Sequence, residues 1–310
     1  MKKWFLGLIL IGVVLVSGCV DQEEEGPEYN DNALKMEYEI TEKIEDIRIL
    51  PGQTVRMVVY LTNQVENDTT NVDIIISNPY GIEISRVDCG LDCTCEGGSN
   101  ECSGKPVSCY YNGCNYDKIQ SLDQVEINFA LDIPSEEEIT SVGYELKPEL
   151  TLEYNYDGQS MLYIPILRYG EKPTETKTEF TQTIGPIHVD IRSDKWVRGG
   201  SVFPLFVEVK DVVKEGENIM IEKDDFKLTE YTHITGLGGN LGRCDFTNEN
   251  TITYYIPEKD IELPMKDPLV CTLEAENPTI PMVKALIGID YSYRYKVEKT
   301  ETIRVEKGLF

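Results

Sequence analysis

Cysteine is the residue type in this chain with the most chemistry to offer. Nine are present: Cys19, Cys89, Cys93, Cys95, Cys102, Cys109, Cys114, Cys244 and Cys271. Six fall between Cys89 and Cys114, two lie far downstream, and Cys19 stands alone near the start. If Cys19 is taken by a lipid, an even number remains in each half. In an oxidising compartment such sets are read as disulfides. Cys244 and Cys271 can satisfy each other. The pairing among Cys89, Cys93, Cys95, Cys102, Cys109 and Cys114 stays open. The rival chemistry is zinc, because Cys89-x3-Cys93 and Cys109-x4-Cys114 have the spacing of metal knuckles. The export signal described below favours disulfides, so no metal ligand is assigned.

The remaining residues offer little to catalysis. There are two histidines. His188 and His233 both sit in alternating, strand-like sequence, where a solvent-facing position is the expectation. No Gly-x-Ser-x-Gly elbow and no His-Glu-x-x-His occurs. Gly236-Leu-Gly-Gly-Asn-Leu-Gly242 is followed by Arg243-Cys244-Asp245 instead of a helix, so a glycine-rich strand connection is expected there and not a phosphate loop. Glu136-Glu-Glu138 and Asp224-Asp225 read as solvated turns. Asn112, Asn115 and Asp117 form a weak set for a structural calcium ion; no other cofactor is expected. No catalytic residue is assigned, and the chain is expected not to be an enzyme. A secreted hydrolase is the least favoured alternative.

Charge narrows the partners. Twenty-nine Lys and Arg stand against 55 Asp and Glu, a net charge of −26 in 310 residues. That balance opposes nucleic acid, which needs a basic face.

The first residues carry an address. Lys2 and Lys3 precede an apolar run from Trp4 to Val16, too short to span a bilayer and suited to a signal peptide. Val16-Ser17-Gly18-Cys19 follows, and it resembles the lipobox of secreted lipoproteins. That resemblance implies cleavage before Cys19 and lipidation of Cys19. Residues 1–18 are then a signal peptide, and 19–32 an acidic tether with little to bury. The protein is expected outside the cytoplasm, on the outer face of the membrane. Asn67-Asp-Thr69 is a glycosylation sequon on an expected loop.

The elements that must position these residues are strands. Val55, Met57, Val59 and Leu61 alternate after Pro51-Gly52. Phe203, Leu205, Val207 and Val209 do the same after Gly199-Gly200. Val125 to Ile133 forms another such run, and helical periodicity is nearly absent. Asp157-Gly158, between two alternating runs, predicts a hairpin turn. The halves also repeat. Leu150-x-Leu-x-Tyr-x-Tyr156 matches Ile287-x-Ile-x-Tyr-x-Tyr293 at an offset of 137. Tyr291, Tyr293 and Tyr295 share the face of Ile287 and Ile289, so they are expected to carry the core stripe to the rim of a sheet.

The fold class expected is all-β, with two tandem Ig-like sandwiches. The first covers 33–169 with a disulfide-rich insertion at 89–114. A linker covers 170–185, and the second sandwich 186–310. The stretch Pro51-Gly-Gln-Thr-Val55, with Leu61-Thr-Asn63 and Asn71-Val-Asp-Ile-Ile-Ile-Ser-Asn-Pro79, is similar to immunoglobulin-like modules of the CARDB type found in archaeal and bacterial surface proteins. The resemblance implies an Ig-like fold, a surface role and no catalytic residues. The expected function is a lipid-anchored binding or scaffolding protein whose partners are a surface or envelope protein, or a glycan. The alternative is a ligand-capturing lipoprotein of a transport or adhesion complex. The stapled 89–114 stretch, with Tyr110, Tyr111, Asn112 and Tyr116, is the expected contact surface.

Overall fold

The computed structural model describes residues 33–40, 49–65, 68–77, 82–96, 99–100, 106–139, 144–173, 178–213, 219–247 and 254–305. Cys19, Asn67 and Cys102, and with them the signal, tether and sequon, lie outside the described residues. The described chain is all-β, as expected, with two single-turn 3-10 helices at Lys223–Asp225 and Gly239–Leu241.

Three principal sheets carry the fold. One places Leu34–Ile40, Thr54–Asn63, Gln124–Asp132, Glu83–Asp88, Thr94–Glu96 and Ser99–Asn100 side by side in that order. A second places Ile187–Arg192, Val202–Asp211, Leu269–Ala275 and Ile234–Leu237 side by side. Each begins with the same device. Gly52 and Gly200 adopt φ of +74° and +73°. Their amides donate to Pro134 O and Ala275 O at 3.0 and 2.9 Å. Glycine adopts a positive φ without the penalty a Cβ brings, so both alternating strands are launched by a residue type suited to the turn.

The third sheet joins the halves. Its two central strands, Glu149–Leu167 and Met282–Thr300, are each 19 residues long and pair antiparallel along their whole length. Thr69–Ser77, Gly113–Ile119 and Val107–Tyr110 extend the sheet on one side, and Phe226–Tyr231 on the other. Leu150, Leu152, Tyr154 and Tyr156 are buried, and so, further along the same face, are Leu162, Ile164 and Ile166. These residues belong to one hydrophobic cluster that also holds the inward residues of both smaller sheets. Each long strand therefore offers one continuous buried face to two sandwiches.

This corrects the hairpin expected at Asp157-Gly158. Both residues lie inside a strand, opposite Ser292 and Tyr291. An Asp-Gly pair between alternating runs is a local turn signal, and tertiary packing overrides it. A Cβ on Gly158 would come within 2.3 Å of the Tyr291 ring. The glycine is there to seat an aromatic ring across the strand pair, not to turn the chain. The stretch 170–185, read as a linker, contributes the strand Glu179–Gln182, which pairs with Ser160–Tyr163.

The tyrosines are core, as expected, but not at a rim. Tyr154 pairs with Tyr295, and Tyr156 with Tyr293, at the middle of the long strands. Their ring centroids lie 5.7 and 5.6 Å apart. The sequence repeat equates Tyr156 with Tyr293, and the structure sets these two residues opposite each other. Tyr154 and Tyr291 are likewise equivalent, and their partners Tyr295 and Gly158 are the equivalents of each other. Repeat and register together define a two-fold relation centred on the Tyr156–Tyr293 pair.

Candidate functional site

The expected contact surface is built on the hairpin of Val107–Tyr110 and Gly113–Ile119, joined by Tyr111 and Asn112. The hairpin lies hard against Thr69–Ser77. A Cβ on Gly113 would stand 2.2 Å from Ile74 O. Asn112 completes the ladder. Its carbonyl accepts from Ile76 N at 2.8 Å, and its side-chain amide donates to Ile76 O at 3.2 Å.

Two disulfides tie this hairpin to the opposite sheet. Cys114 bonds Cys89, just beyond Glu83–Asp88, with Cα atoms 5.8 Å apart. Cys109 bonds Cys95, in Thr94–Glu96, with Cα atoms 6.0 Å apart. Cys93 is disulfide-bonded as well. Cys89, Cys93, Cys95, Cys109 and Cys114 are all buried. The 89–114 stretch is thus not an insertion hung on a finished sandwich. It supplies edge strands of both sheets, and its cysteines are part of the core. The sulfurs of Cys89, Cys93 and Cys109 lie within 4.8 Å of one another. Their bonding as disulfides removes the thiolates a zinc ion would need.

The four expected contact residues separate. Tyr111 is 70% exposed and Tyr110 43% exposed. With Asn112, Ile75, Cys95 and Cys109 they line a depression of about 510 Å3. Tyr116 is buried, and its hydroxyl donates to Cys89 O at 2.6 Å. Burial, with Asp88 nearby, pushes that phenol well above its ordinary pKa. It holds the strand to the start of the disulfide segment and does not face a partner. The signal was in the sequence: Cys114 and Tyr116 are two residues apart, so a buried cysteine carries the tyrosine inward with it.

Other sequence candidates resolve into structure. Asn115 donates to Asp73 Oδ1 at 2.7 Å while Asn112 serves Ile76, so two of the three residues suggested for calcium are aimed at separate partners. His188 is half-buried in Ile187–Arg192, opposite Lys210. His233 departs from the strand expected for it. It occupies a turn with φ +60°, and its Nδ1 lies 2.8 Å from Glu276 Oε2. The glycine-rich run serves a disulfide. Cys244 and Cys271 are bonded, and a Cβ on Gly238 would come within 2.5 Å of Cys244 Cβ.

Fold and site together describe an all-β, disulfide-bonded protein of sandwich construction. Its disulfides fit maturation in an oxidising, extracytoplasmic compartment. Among the described residues no helix is long and apolar enough to cross a membrane. No protein-family model and no curated protein matches the chain. Among solved structures, Escherichia coli alpha-2-macroglobulin activated by porcine elastase is similar at 12% identity and a TM-score of 0.15. The match covers 89% of this chain and 22% of that one, and at this score it carries no argument.

Proposed function

We propose that this chain is a non-catalytic binding or scaffolding protein, held at the cell surface by a lipid on Cys19, that meets its partner through the Tyr110–Asn112 turn. The carrying observation is the contrast within that hairpin. Its strands are anchored by two disulfides and a buried tyrosine, while its tip presents two tyrosines to solvent. Tyrosine supplies large contact area with few rotatable bonds, and an anchored tip loses little entropy on binding. The lipobox resemblance and the CARDB-type resemblance both support a surface role, and the strongly acidic composition opposes nucleic acid as the partner.

The test is Tyr110→Ser with Tyr111→Ser in the full-length lipoprotein, followed by pull-down from its own membranes and mass spectrometry of the captured proteins. Loss of capture with an unchanged melting temperature is the expected result. Undiminished capture overturns the assignment of the tip. Replacing residues 90–113 wholesale would be uninformative, because it removes core strands. The anchor has its own test. Cys19→Ser should release the protein from the membrane fraction, and retention there overturns lipid attachment.

A further inference from the structure

At the end of the second half, the long strand pair finishes in an exposed tip. Three segments meet there. Leu167 and Met282 close the register of the pair, and Arg168 N donates to Pro281 O at 2.9 Å. Val197–Arg198 runs beside Ile166 and Leu167, and Gly199 N donates to Leu167 O at 2.8 Å. Gly170, at φ +93°, turns the chain back, and Glu171 N donates to Arg168 O at 3.0 Å. Backbone bonds thus hold the tip from both sides.

The tip presents apolar side chains to solvent. Tyr169 is 75%, Ile280 55% and Met282 38% exposed. Trp196 is half-buried and lines a depression of about 420 Å3 with Val202. The Arg198 guanidinium stands 5.8 Å from the centre of its ring. Cations accompany these side chains. The segments 168–173, 194–198 and 277–282 hold Arg168, Lys172, Lys195 and Arg198 against two carboxylates, Glu171 and Asp194. Four cations less two anions leave +2 on this tip, in a chain of −26. Aromatic and aliphatic side chains set among Lys and Arg suit the boundary between acyl chains and anionic headgroups.

A lipid on Cys19 brings a bilayer within reach. The 15 residues from Cys19 to Leu34 span at most about 50–54 Å. Leu34 lies beside the Tyr154 hydroxyl, and the strand from Tyr154 to Leu167 rises about 43 Å. Anchor and tip can therefore meet one membrane.

We propose that the tip formed by Tyr169, Trp196, Ile280 and Met282 docks on the bilayer that holds the lipid of Cys19, with its cations against anionic headgroups. This rests on the lipid attachment proposed above, and it orients the molecule. Asn112 bonds Ile76, which pairs with Leu150 at the other end of the same long strand, about 56 Å from Leu167. With one end on the membrane, the Tyr110–Asn112 turn is held away from it, where a partner can approach.

Trp196 is the only tryptophan after Cys19, so it reports on the tip. The experiment reconstitutes the full-length lipoprotein into vesicles of phosphatidylcholine and phosphatidylglycerol, with and without bromine on the phosphatidylcholine acyl chains. Bromine should quench most of the Trp196 emission. Tyr169→Ser with Ile280→Ser should abolish that quenching while sedimentation with the vesicles and the melting temperature hold. Lys172→Gln with Lys195→Gln should reduce it, as should omission of phosphatidylglycerol. Trp196→Phe should remove the quenched emission, and its persistence overturns the proposal. Sedimentation with Trp196 unquenched overturns the tip alone, whereas failure to sediment overturns lipid attachment and tip together. Unquenched, blue-shifted Trp196 in a protein that is dimeric in detergent assigns the tip to a second copy and likewise overturns membrane docking.

Discussion

The first and second sandwiches solve one problem by different means. Both launch a strand from a positive-φ glycine, and both lean on the shared sheet. The first half ties its two sheets together at the edge through Cys89–Cys114 and Cys95–Cys109. The second has Cys244–Cys271, which joins neighbouring segments of the same small sheet region. The difference shows that a duplicated fold keeps its core pattern while cross-links follow local need. The 89–114 stretch is poor in aliphatic residues, so covalent bonds do there what Ile, Leu and Val do elsewhere.

The largest test of this contrast removes the single cross-link. Cys244→Ala with Cys271→Ala opens a sequence separation of 27 residues, and the chain-entropy relation gives about 3–4 kcal/mol. Cys95→Ala with Cys109→Ala, a separation of 14 residues, should cost about 3 kcal/mol. Urea denaturation compares the two, and the expected ranking fails if the first-half pair costs more.

Next comes the junction. Gly158→Ala forces a methyl toward the Tyr291 ring and should cost about 1–3 kcal/mol as overpacking. Because the long strands belong to both halves, unfolding should remain a single transition, lowered as a whole. A split into two transitions in calorimetry would show that the halves are energetically separate.

A smaller effect compares one carboxylate from each half. Burial would raise the Asp245 carboxyl, but hydrogen bonds from Arg243 and from Val270 N outweigh it and hold it below the usual range. In the first half, hydrogen bonds from Lys118 and Ser121 N hold exposed Asp68 down as well. A depressed carboxylate stabilises above its unfolded pKa and loses that contribution as pH falls through its folded value. Asp245→Asn should therefore cost about 1 kcal/mol near neutral pH and nothing in strong acid, where variant and parent converge. Asp68→Asn should have the smaller effect. Melting curves from neutral pH to about pH 2 check both, across the carboxylate range.

Much of this was legible in the residues. Period-two runs located the strands, the cysteine count separated the halves, and the repeat of Leu150–Tyr156 in Ile287–Tyr293 was visible by eye. What the residues did not show is who pairs with whom. Alternation reports that a strand has one buried face and is silent about its neighbour. Asp157-Gly158 therefore read as a turn, because the ring of Tyr291, which fills the space above the glycine, lies more than a hundred residues away. Tyr111 and Tyr116 looked alike as aromatic residues near cysteines, and only the inward parity of Cys114 tells them apart.

The long strand pair also sets a timetable. Glu149–Leu167 waits for Met282–Thr300, and Tyr144–Leu146 waits for Ile303–Val305, before the first half has all its neighbours. A chain emerging from its N-terminus cannot complete that half until Ile303–Val305 has been made. Such non-local pairing is slow, so the nascent chain stays open through most of its synthesis. Under the export proposed above, late closure would keep the chain in a transportable form.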